Sequence, residues 1–433
     1  MGINIDLTRS ELAVNGGTPV RTRGWLDNFT TGRDEKEAAL RVLDSGYLSL
    51  FEGSHTPDHP FSFFGGPEVQ SLEREWSCYY GNKHSVAMNS ATSGLFAAIG
   101  ALGIGYGDEV IVSPYTMTAC ALAPLIYGAI PVFADVDPRT GSLSAESIAA
   151  RVSPNTKAIL VVHQFGIPAD MDSILAIANP RGIRIIEDCA QAHGARYKRR
   201  SVGTIGDIGI FSLNVNKTIQ SGEGGICVTD DDDLAYRLQL IRNHGEAVVG
   251  PAGYSDITNI AGFNYRMTEM AAAVARVQLE RLPLLNRERL ALVEQLRTGL
   301  SDVQGLDLLN LVGESPDSLS TYYVAPLSFT GFGASRDEVA EAFQAEGVLM
   351  GRGYVKPLYL QPIYQKKHLF RHGFPFSAAP NSGLRQEYSE GTCPNAEFLY
   401  SSQILINEHV RPPNSAKDVD DILKAANKIL SAG

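Results

Sequence analysis

Residues 183–229, IRIIEDCAQAHGARYKRRSVGTIGDIGIFSLNVNKTIQSGEGGICVT, contain three short runs that decide the fold. IRIIED (183–188), IGIFS (208–212) and GICVT (225–229) are largely apolar and do not alternate with polar residues. Runs of this kind belong to strands buried on both faces, as in a sheet covered by helices on each side. Upstream, similar runs recur at HSVAM (84–88), EVIVS (109–113), PVFAD (131–135) and KAILVV (157–162). Helix-spaced segments such as 93–102 and 171–178 lie between them and end near Gly or Pro. The alternation predicts an α/β fold whose mostly parallel, seven-stranded sheet is sandwiched by helices. Ligands of such sheets sit beyond the carboxyl ends of the strands. The informative residues should fall there.

Outward from the sheet, residues 1–30 read as an arm with little structure of its own. Residues 34–45, DEKEAALRVLDS, form a short amphipathic helix stopped by Gly46. Residues 50–66 read as a loop with an aromatic cluster; ordinary packing is the preferred reading of Phe61, Phe63 and Phe64 over a substrate entrance. The apolar stretch 114–134 holds Pro114, Pro124 and Pro131, which favours a buried helix leading into a strand over a membrane span. A long helix is expected from 267 to about 298, broken near Pro283. The division expected is a large domain over 31–285 and a smaller C-terminal α/β domain over 286–433. The smaller one would hold a strand at 321–329 and helices at 335–347 and 416–430. Residues 371–392, rich in Gly, Pro and Ser, read as an insertion or mobile loop.

A net charge of −11 argues against a general nucleic-acid or anionic-membrane surface, yet leaves room for one locally held phosphate. Five scattered cysteines show no CxxC pair and no metal-ligand spacing, so no metal site is expected. Cys120, Cys189 and Cys227 lie in or beside apolar runs and read as small buried hydrophobes. The dispersed, odd count and the lack of an evident signal peptide lead to the expectation of a cytoplasmic protein. The Met-Gly start lacks the Ser or Thr at position 6 that myristoylation wants, since Asp6 stands there.

Three segments carry chemistry. IIEDCAQAHG (185–194) ends a strand in Glu187 and Asp188, with Gln191 beyond. A carboxylate there can keep a bound pyridine protonated, so that the ring accepts electrons from a neighbouring carbanion; the plainer reading is an Asp that caps the next helix. In IGIFSLNVNKTIQSGEGG (208–225), Lys217 follows five residues after Ser212 and precedes a glycine-rich turn. A lysine near a desolvated pocket can lose its proton and attack a carbonyl, whereas a lone loop lysine is ordinarily a solvated charge. In MNSATSGLFAAI (88–99), a strand ends and a helix starts near Ser93. Its free N–H groups and the hydroxyls of Ser90, Thr92 and Ser93 could cradle a phosphate; simple capping by Thr92 is the alternative. His163 and His193 also lie near strand ends, but read at least as well as packed or backbone-bonded side chains and stay out of the catalytic set.

Taken together, these segments resemble the DegT/StrS family of PLP-dependent sugar aminotransferases, on the fold type I, aspartate-aminotransferase-like scaffold. The resemblance runs from the LAVNGGTPVR segment (12–21) through at least Tyr364, by way of DSGYLS (44–49), NSATSGL (89–95), ALGIGYGDEVIVSPYT (101–116), VHQFGIPADMD (162–172), IEDCAQAHGA (186–195), FSLNVNKTIQSGEGG (211–225), IRNHGE (241–246) and GFNYRMTEMAAAV (262–274). It implies pyridoxal 5′-phosphate as cofactor, with pyridoxamine 5′-phosphate as the intermediate form. Lys217 would be the Schiff-base lysine and proton shuttle, and Asp188 the partner of the ring nitrogen. Thr92, Ser93 and Ser212 would bind the phosphate, and Gln191 would lie beside the ring's oxygen substituent. Asn264 would reach the neighbouring subunit's phosphate site, which implies a homodimer with shared active sites. The reaction implied moves an amino group from L-glutamate or L-glutamine to a keto-sugar, possibly nucleotide-linked, or to a cyclitol ketone. GGTPVR leans toward the cyclitol branch.

Three positions depart from the family pattern. Met117 stands where Phe or Trp packs on the cofactor ring; a thioether can also cover a ring face. Tyr359 replaces the His of a Pro-Leu-His near the substrate, and SSQILINEHVRPP (401–413) lacks the commoner Leu-Pro ending. The last two fall where substrate choice is made. A related sugar dehydratase would carry His at position 217, and a non-catalytic regulator would have lost the lysine or the carboxylate. A nucleotide-binding α/β protein would show GxGxxG or GxxxxGK at 89–95, and neither is there.

Overall fold

A computed structural model describes residues 4–53, 60–310 and 317–431 of the chain. All seven expected runs are strands of one sheet: β1 (His84–Met88), β2 (Glu109–Val112), β3 (Ile130–Phe133), β4 (Thr156–Val162), β5 (Arg184–Asp188), and, after the small hairpin β6 (Arg196–Tyr197) and β7 (Arg200–Ser201), β8 (Ile208–Ser212) and β9 (Gly225–Thr229). Their order is β1-β9-β8-β5-β4-β2-β3. Only β9 runs antiparallel to its neighbours, so the six others end at one edge. Val162 pairs with Asp188, which brings the ends of β4 and β5 level, and Asp188 pairs with Ile210, so that β8 runs two residues further.

Period-2 geometry sends alternate side chains to opposite faces, and each face has its own core. Ala158, Leu160 and Val162 pack on one side with α3 (Ala91–Ala101), α4 (Ala119–Ile126) and α7 (Asp232–Arg242). Ile159 and Val161 pack on the other with α2 (Pro67–Tyr80), α5 (Ala145–Arg151), α6 (Met171–Ala178) and the first half of α8 (Glu269–Leu300). Both faces are dry. That is why the strands read as unbroken apolar runs. Before them, α1 (Arg33–Ser45) ends at Gly46 in the left-handed region, as its sequence predicts.

The 32 residues of α8 carry the chain from the large sheet to a second, antiparallel one, ordered β10-β11-β13-β12. Its strands are β10 (Leu306–Leu308), β11 (Ala325–Phe329), β12 (Gly351–Arg352) and β13 (Ile404–Asn407), packed by α9 (Arg336–Ala345) and, at the end, α12 (Ala416–Leu430). The helix continues through Pro283, where the sequence predicted a break. Pro283 lies on the exposed face, so water can take the carbonyl that the proline leaves without a donor. The N-terminal arm, from residue 4, lies along this second sheet. Ala13 and Val20 donate N–H bonds to Glu346, and Arg21 pairs with Asp418 and Asp421. Among the described residues no helix is long and apolar enough to cross a membrane.

Residues 371–392, expected as an insertion or mobile loop, have irregular backbone anchored to the large sheet by a few buried side chains. Asn381 is fully buried and donates to the carbonyls of Gly128 and Pro375, while the Tyr388 hydroxyl donates to the carbonyl of Pro131. Phe133 of β3 meets the rings of Tyr359, Tyr364 and Tyr388 edge-on. The segment covers β3, the outer strand of the sheet, whose open edge would otherwise invite pairing with other chains. Gly, Pro and Ser removed regular elements here without removing contacts. In the 50–66 loop, residues 54–59 lie outside the described set; Phe63 is buried edge-on to Phe64, and Phe61 is exposed against Tyr47.

The start of α3 is pressed onto the sheet. A Cβ at Gly225 would lie 2.5 Å from the backbone nitrogen of Ala91 and 2.5 Å from the carbonyl carbon of Ser90. Backbone cannot step aside as a side chain can. Gly225→Ala should therefore cost about 1–3 kcal/mol, seen as a lower urea midpoint with an unchanged slope.

Candidate functional site

The two carboxylates that end β5 part company. Glu187 is fully buried and accepts from His163 Nε2 (2.9 Å) and from the N–H groups of Gly203 (2.8 Å), Ile205 (2.7 Å) and Gly206 (2.6 Å). Burial alone would raise its pKa, but His163 and the backbone donors outweigh it and hold the carboxyl below its ordinary value. His163 Nδ1 accepts from the Ala169 N–H (3.1 Å), so Nε2 carries the ring proton given to Glu187. His163, Glu187 and Cys189 do lie close together. With both His163 nitrogens and the Glu187 oxygens already engaged, the group is a structural hub.

Asp188 points the other way. Its Oδ1 accepts from the Ala190 N–H (3.0 Å) and its Oδ2 from the Cys120 thiol (3.1 Å). Burial, and then the charge of Asp188, push the Cys120 pKa well up, so the sulfur keeps its hydrogen and donates. Cys120 is thus a buried hydrophobe, as expected, and also a partner of the key carboxylate. Each carboxylate oxygen retains accepting capacity.

Lys217 sits at the tip of an extension of β8 and β9, closed by bonds from Leu213 N–H to the Gly224 carbonyl (2.8 Å) and from Val215 N–H to the Gly222 carbonyl (2.9 Å). The lysine is 9% exposed, a value foreign to a solvated loop lysine. Its Nζ lies 4.6 Å from the centre of the Tyr323 ring. Burial pulls its pKa down, and Asp188 partly restores it. Asn28 of the N-terminal arm donates to the Lys217 carbonyl (2.9 Å).

At the end of β1, α3 begins at Ala91, earlier than the sequence suggested, and its cap is Ser90 rather than Thr92. Ser90 Oγ accepts from Ser93 N–H (3.0 Å), and the Ser93 hydroxyl donates to Asn89 Oδ1 (2.6 Å). Thr92 is exposed. The N–H groups of Ala91 and Thr92 belong to the first turn and have no acceptor within the helix. Ser212, 5% exposed, accepts from the Asn214 N–H (3.3 Å) through Oγ. The buried Gln191 is held at both ends: Oε1 accepts from Phe165 N–H (2.8 Å), and Nε2 donates to the Tyr354 hydroxyl (2.9 Å). Met117 is half exposed at the start of α4.

Asn264 has an exposed side chain, and its carbonyl lies 3.4 Å from the Asn89 amide of the same chain. The next residue but one, Arg266, has a buried Nε without a hydrogen-bond partner and lines a cavity with Asn89 and Ser221. His193 is packed between Trp76 and Phe211; burial, then Lys217, push its pKa down to about 3, so it is neutral. Tyr359 is buried against Phe133 and hydrogen-bonded to Glu397. Sequence reasoning passed over Cys120, Tyr323, Tyr354 and Arg266. Only Cys120 left a trace, one helical turn after Met117 on a helix aimed at the same strand ends.

Against known proteins, residues 60–424 match the model of the DegT/DnrJ/EryC1/StrS aminotransferase family. The chain is 34% identical over 433 residues to an L-glutamine:2-deoxy-scyllo-inosose aminotransferase of Streptoalloteichus tenebrarius, with 97% of each chain covered. It is 34% identical over 405 residues to a dTDP-3-amino-3,4,6-trideoxy-alpha-D-glucose transaminase of Streptomyces venezuelae, covering 92% of this chain and 94% of that one. An X-ray structure of an aminotransferase from Psychrobacter cryohalolentis superposes with a TM-score of 0.78 at 31% identity, covering 94% and 98% of the two chains.

Glu187 provides a pH test. Its folded-state pKa lies below the unfolded value, near 4.3. Its stabilisation is therefore present above that pH and lost as pH falls through the depressed folded value. Glu187→Gln should cost about 3–5 kcal/mol at neutral pH, measured by urea unfolding. The gap from the parent protein should shrink as pH is lowered from about 6 towards 3.

Proposed function

The chain belongs to the DegT/DnrJ/EryC1/StrS aminotransferase family, and on that premise we propose that Lys217 and Asp188 form its reaction centre around pyridoxal phosphate. The protein is a PLP-dependent aminotransferase by its family. The observation that carries the assignment is a buried lysine, its pKa drawn down by burial, within the field of a buried carboxylate at the end of the central strand. The donor set suits a phosphorylated pyridine. Helix-start N–H groups and the Thr92 and Ser212 hydroxyls would hold the phosphate, joined by Ser93 once its hydroxyl turns away from Asn89, while Asp188 has accepting capacity left for a ring N–H.

When bound, pyridoxal phosphate supplies an electron sink for the substrate carbon that loses a proton. Lys217 Nζ must be uncharged to take that proton, and burial favours the neutral amine. Nζ would carry the proton between the substrate carbon and the cofactor carbon, in one direction with the donor and in the reverse direction with the acceptor. Asp188 would hold a proton at the ring nitrogen, with its carboxylate kept in place by Cys120 and the Ala190 N–H. Gln191 and Met117 belong to the ring's surroundings. Retention of both lysine and carboxylate speaks against the dehydratase and regulator readings.

The amino donor in this reading is L-glutamine or L-glutamate, and the acceptor a ketone on a polyhydroxylated ring. Relatives named for a cyclitol ketone and for a dTDP-sugar support both acceptor classes, and the match to the first covers the N-terminal arm as well. The working unit is a homodimer. The exposed Asn264 side chain, free to meet a second copy, and the exposed Leu40, Leu43, Tyr47 and Leu48 on and after α1 support it. Five cysteines without a disulfide fit a reducing cytoplasm.

Purified protein given pyridoxal phosphate should show a visible absorption band that L-glutamine or L-glutamate bleaches. After borohydride treatment, the cofactor's mass should be on the peptide that carries Lys217. Lys217→Ala should lose turnover by at least about 10²–10⁴-fold and carry no such mass; transamination at the parent rate would refute the assignment. In the protein without cofactor, Asp188→Asn removes the charge that raises the Lys217 pKa. Its Nζ should then lose its proton at lower pH, read by amine-directed labelling across a pH series.

A further inference from the structure

Two hydrogen bonds hold the Asp188 carboxylate, and their donors are unequal. Oδ1 accepts from the Ala190 N–H (3.0 Å), an ordinary amide, and Oδ2 from the Cys120 thiol (3.1 Å). An S–H group donates more weakly than a hydroxyl or an amide. Cys120 is the second residue of α4 and is fully buried. The buried Thr116 hydroxyl lies 3.8 Å from its sulfur. With the one thiol hydrogen given to Asp188, Thr116 is the donor of that second contact. Thr116, Cys120 and Asp188 thus form a line from the turn before α4 to the end of β5.

Packing alone would accept Ala or Ser at position 120, since both are smaller than Cys. The choice of donor matters for another reason. Hydrogen bonds to a carboxylate stabilise its charge and weaken its hold on any further proton. A strong donor at Oδ2 would divide the Asp188 charge between itself and a ligand, whereas a thiol leaves most of it for a ring N–H. With no donor, a buried oxygen would go unfilled and the carboxylate could turn. The other titratable groups that feel this charge are Cys189, the next residue, Lys217 on the β8–β9 extension and Tyr354 after β12. Burial pushes both thiols and the Tyr354 phenol up, so they stay uncharged, and Lys217 is the cation among them.

We infer that Cys120 is a positioning residue of the proposed reaction centre: its thiol sets the direction of the Asp188 carboxylate and, as a weak donor, leaves the carboxylate's charge to the ring nitrogen of pyridoxal phosphate. This rests on the aminotransferase reading above.

Two readouts other than turnover test it. In the protein without cofactor, the infrared S–H stretching band of Cys120 is assigned by its loss in Cys120→Ala. It should move to higher frequency in Asp188→Asn, whose side chain is the weaker acceptor; an unmoved band overturns the contact. In holoenzyme reconstituted with pyridoxal phosphate labelled at the ring nitrogen, the nitrogen NMR shift follows ring protonation across pH. Cys120→Ser should lower the pH at which the ring proton is lost by about half a unit or more. Cys120→Ala should bind the cofactor at least about tenfold more weakly, with Cys120→Ser restoring most of that affinity. Variants that unfold at lower temperature yet keep the parent's ring signal and cofactor affinity would show a packing role only and overturn the inference. A parent holoenzyme with an unprotonated ring nitrogen counts against the proposed function, and a thiol band that still responds to Asp188→Asn then leaves the contact itself standing.

Discussion

One buried carboxylate holds the proposed reaction edge of this protein together. Glu187 gathers a ring N–H from the end of β4 and three backbone N–H groups from the turn that leads into β8. Three neighbouring strand ends are thereby held in relation to one another at the point where Asp188 emerges. A charge with no solvent around it is stable only when such donors fill its lone pairs. Strand geometry then makes consecutive residues face opposite ways, so a carboxylate that anchors the scaffold is followed at once by one open to a ligand.

The chemistry at that edge follows from desolvation. Lys217 would be an ordinary surface cation on an exposed hairpin; here Tyr323, from the segment after α8, and the arm residue Asn28 close around it. The second sheet and the N-terminal arm therefore shape the reactivity of a residue that the large sheet carries.

Much of this was legible in the chain. Seven apolar runs became seven strands, because a sheet covered on both faces leaves no room for polar alternation. Asp188, Lys217 and the Ser90–Ser93 turn could be marked because strand ends and helix starts are local features. The path of α8 through Pro283 was not legible, since it depended on which face of the helix met solvent. The packing of residues 371–392 was not legible either: their Gly, Pro and Ser predict irregular backbone, whereas their order comes from Asn381, Tyr388 and the open edge of β3, more than two hundred residues away in sequence.

By itself the sequence determined the α/β architecture and the strand ends, and marked Lys217 and Asp188 as the proposed lysine and carboxylate, because periodicity, apolar runs and motif spacing act over short stretches of chain. Only the tertiary structure decided that Glu187 has its oxygens filled by donors while Asp188 keeps accepting capacity, that Cys120 supports Asp188, and that Tyr323 and Asn28 close around Lys217. Those outcomes depend on burial and on partners brought together from distant segments, and burial is what turns a common side chain into one with altered charge and reactivity.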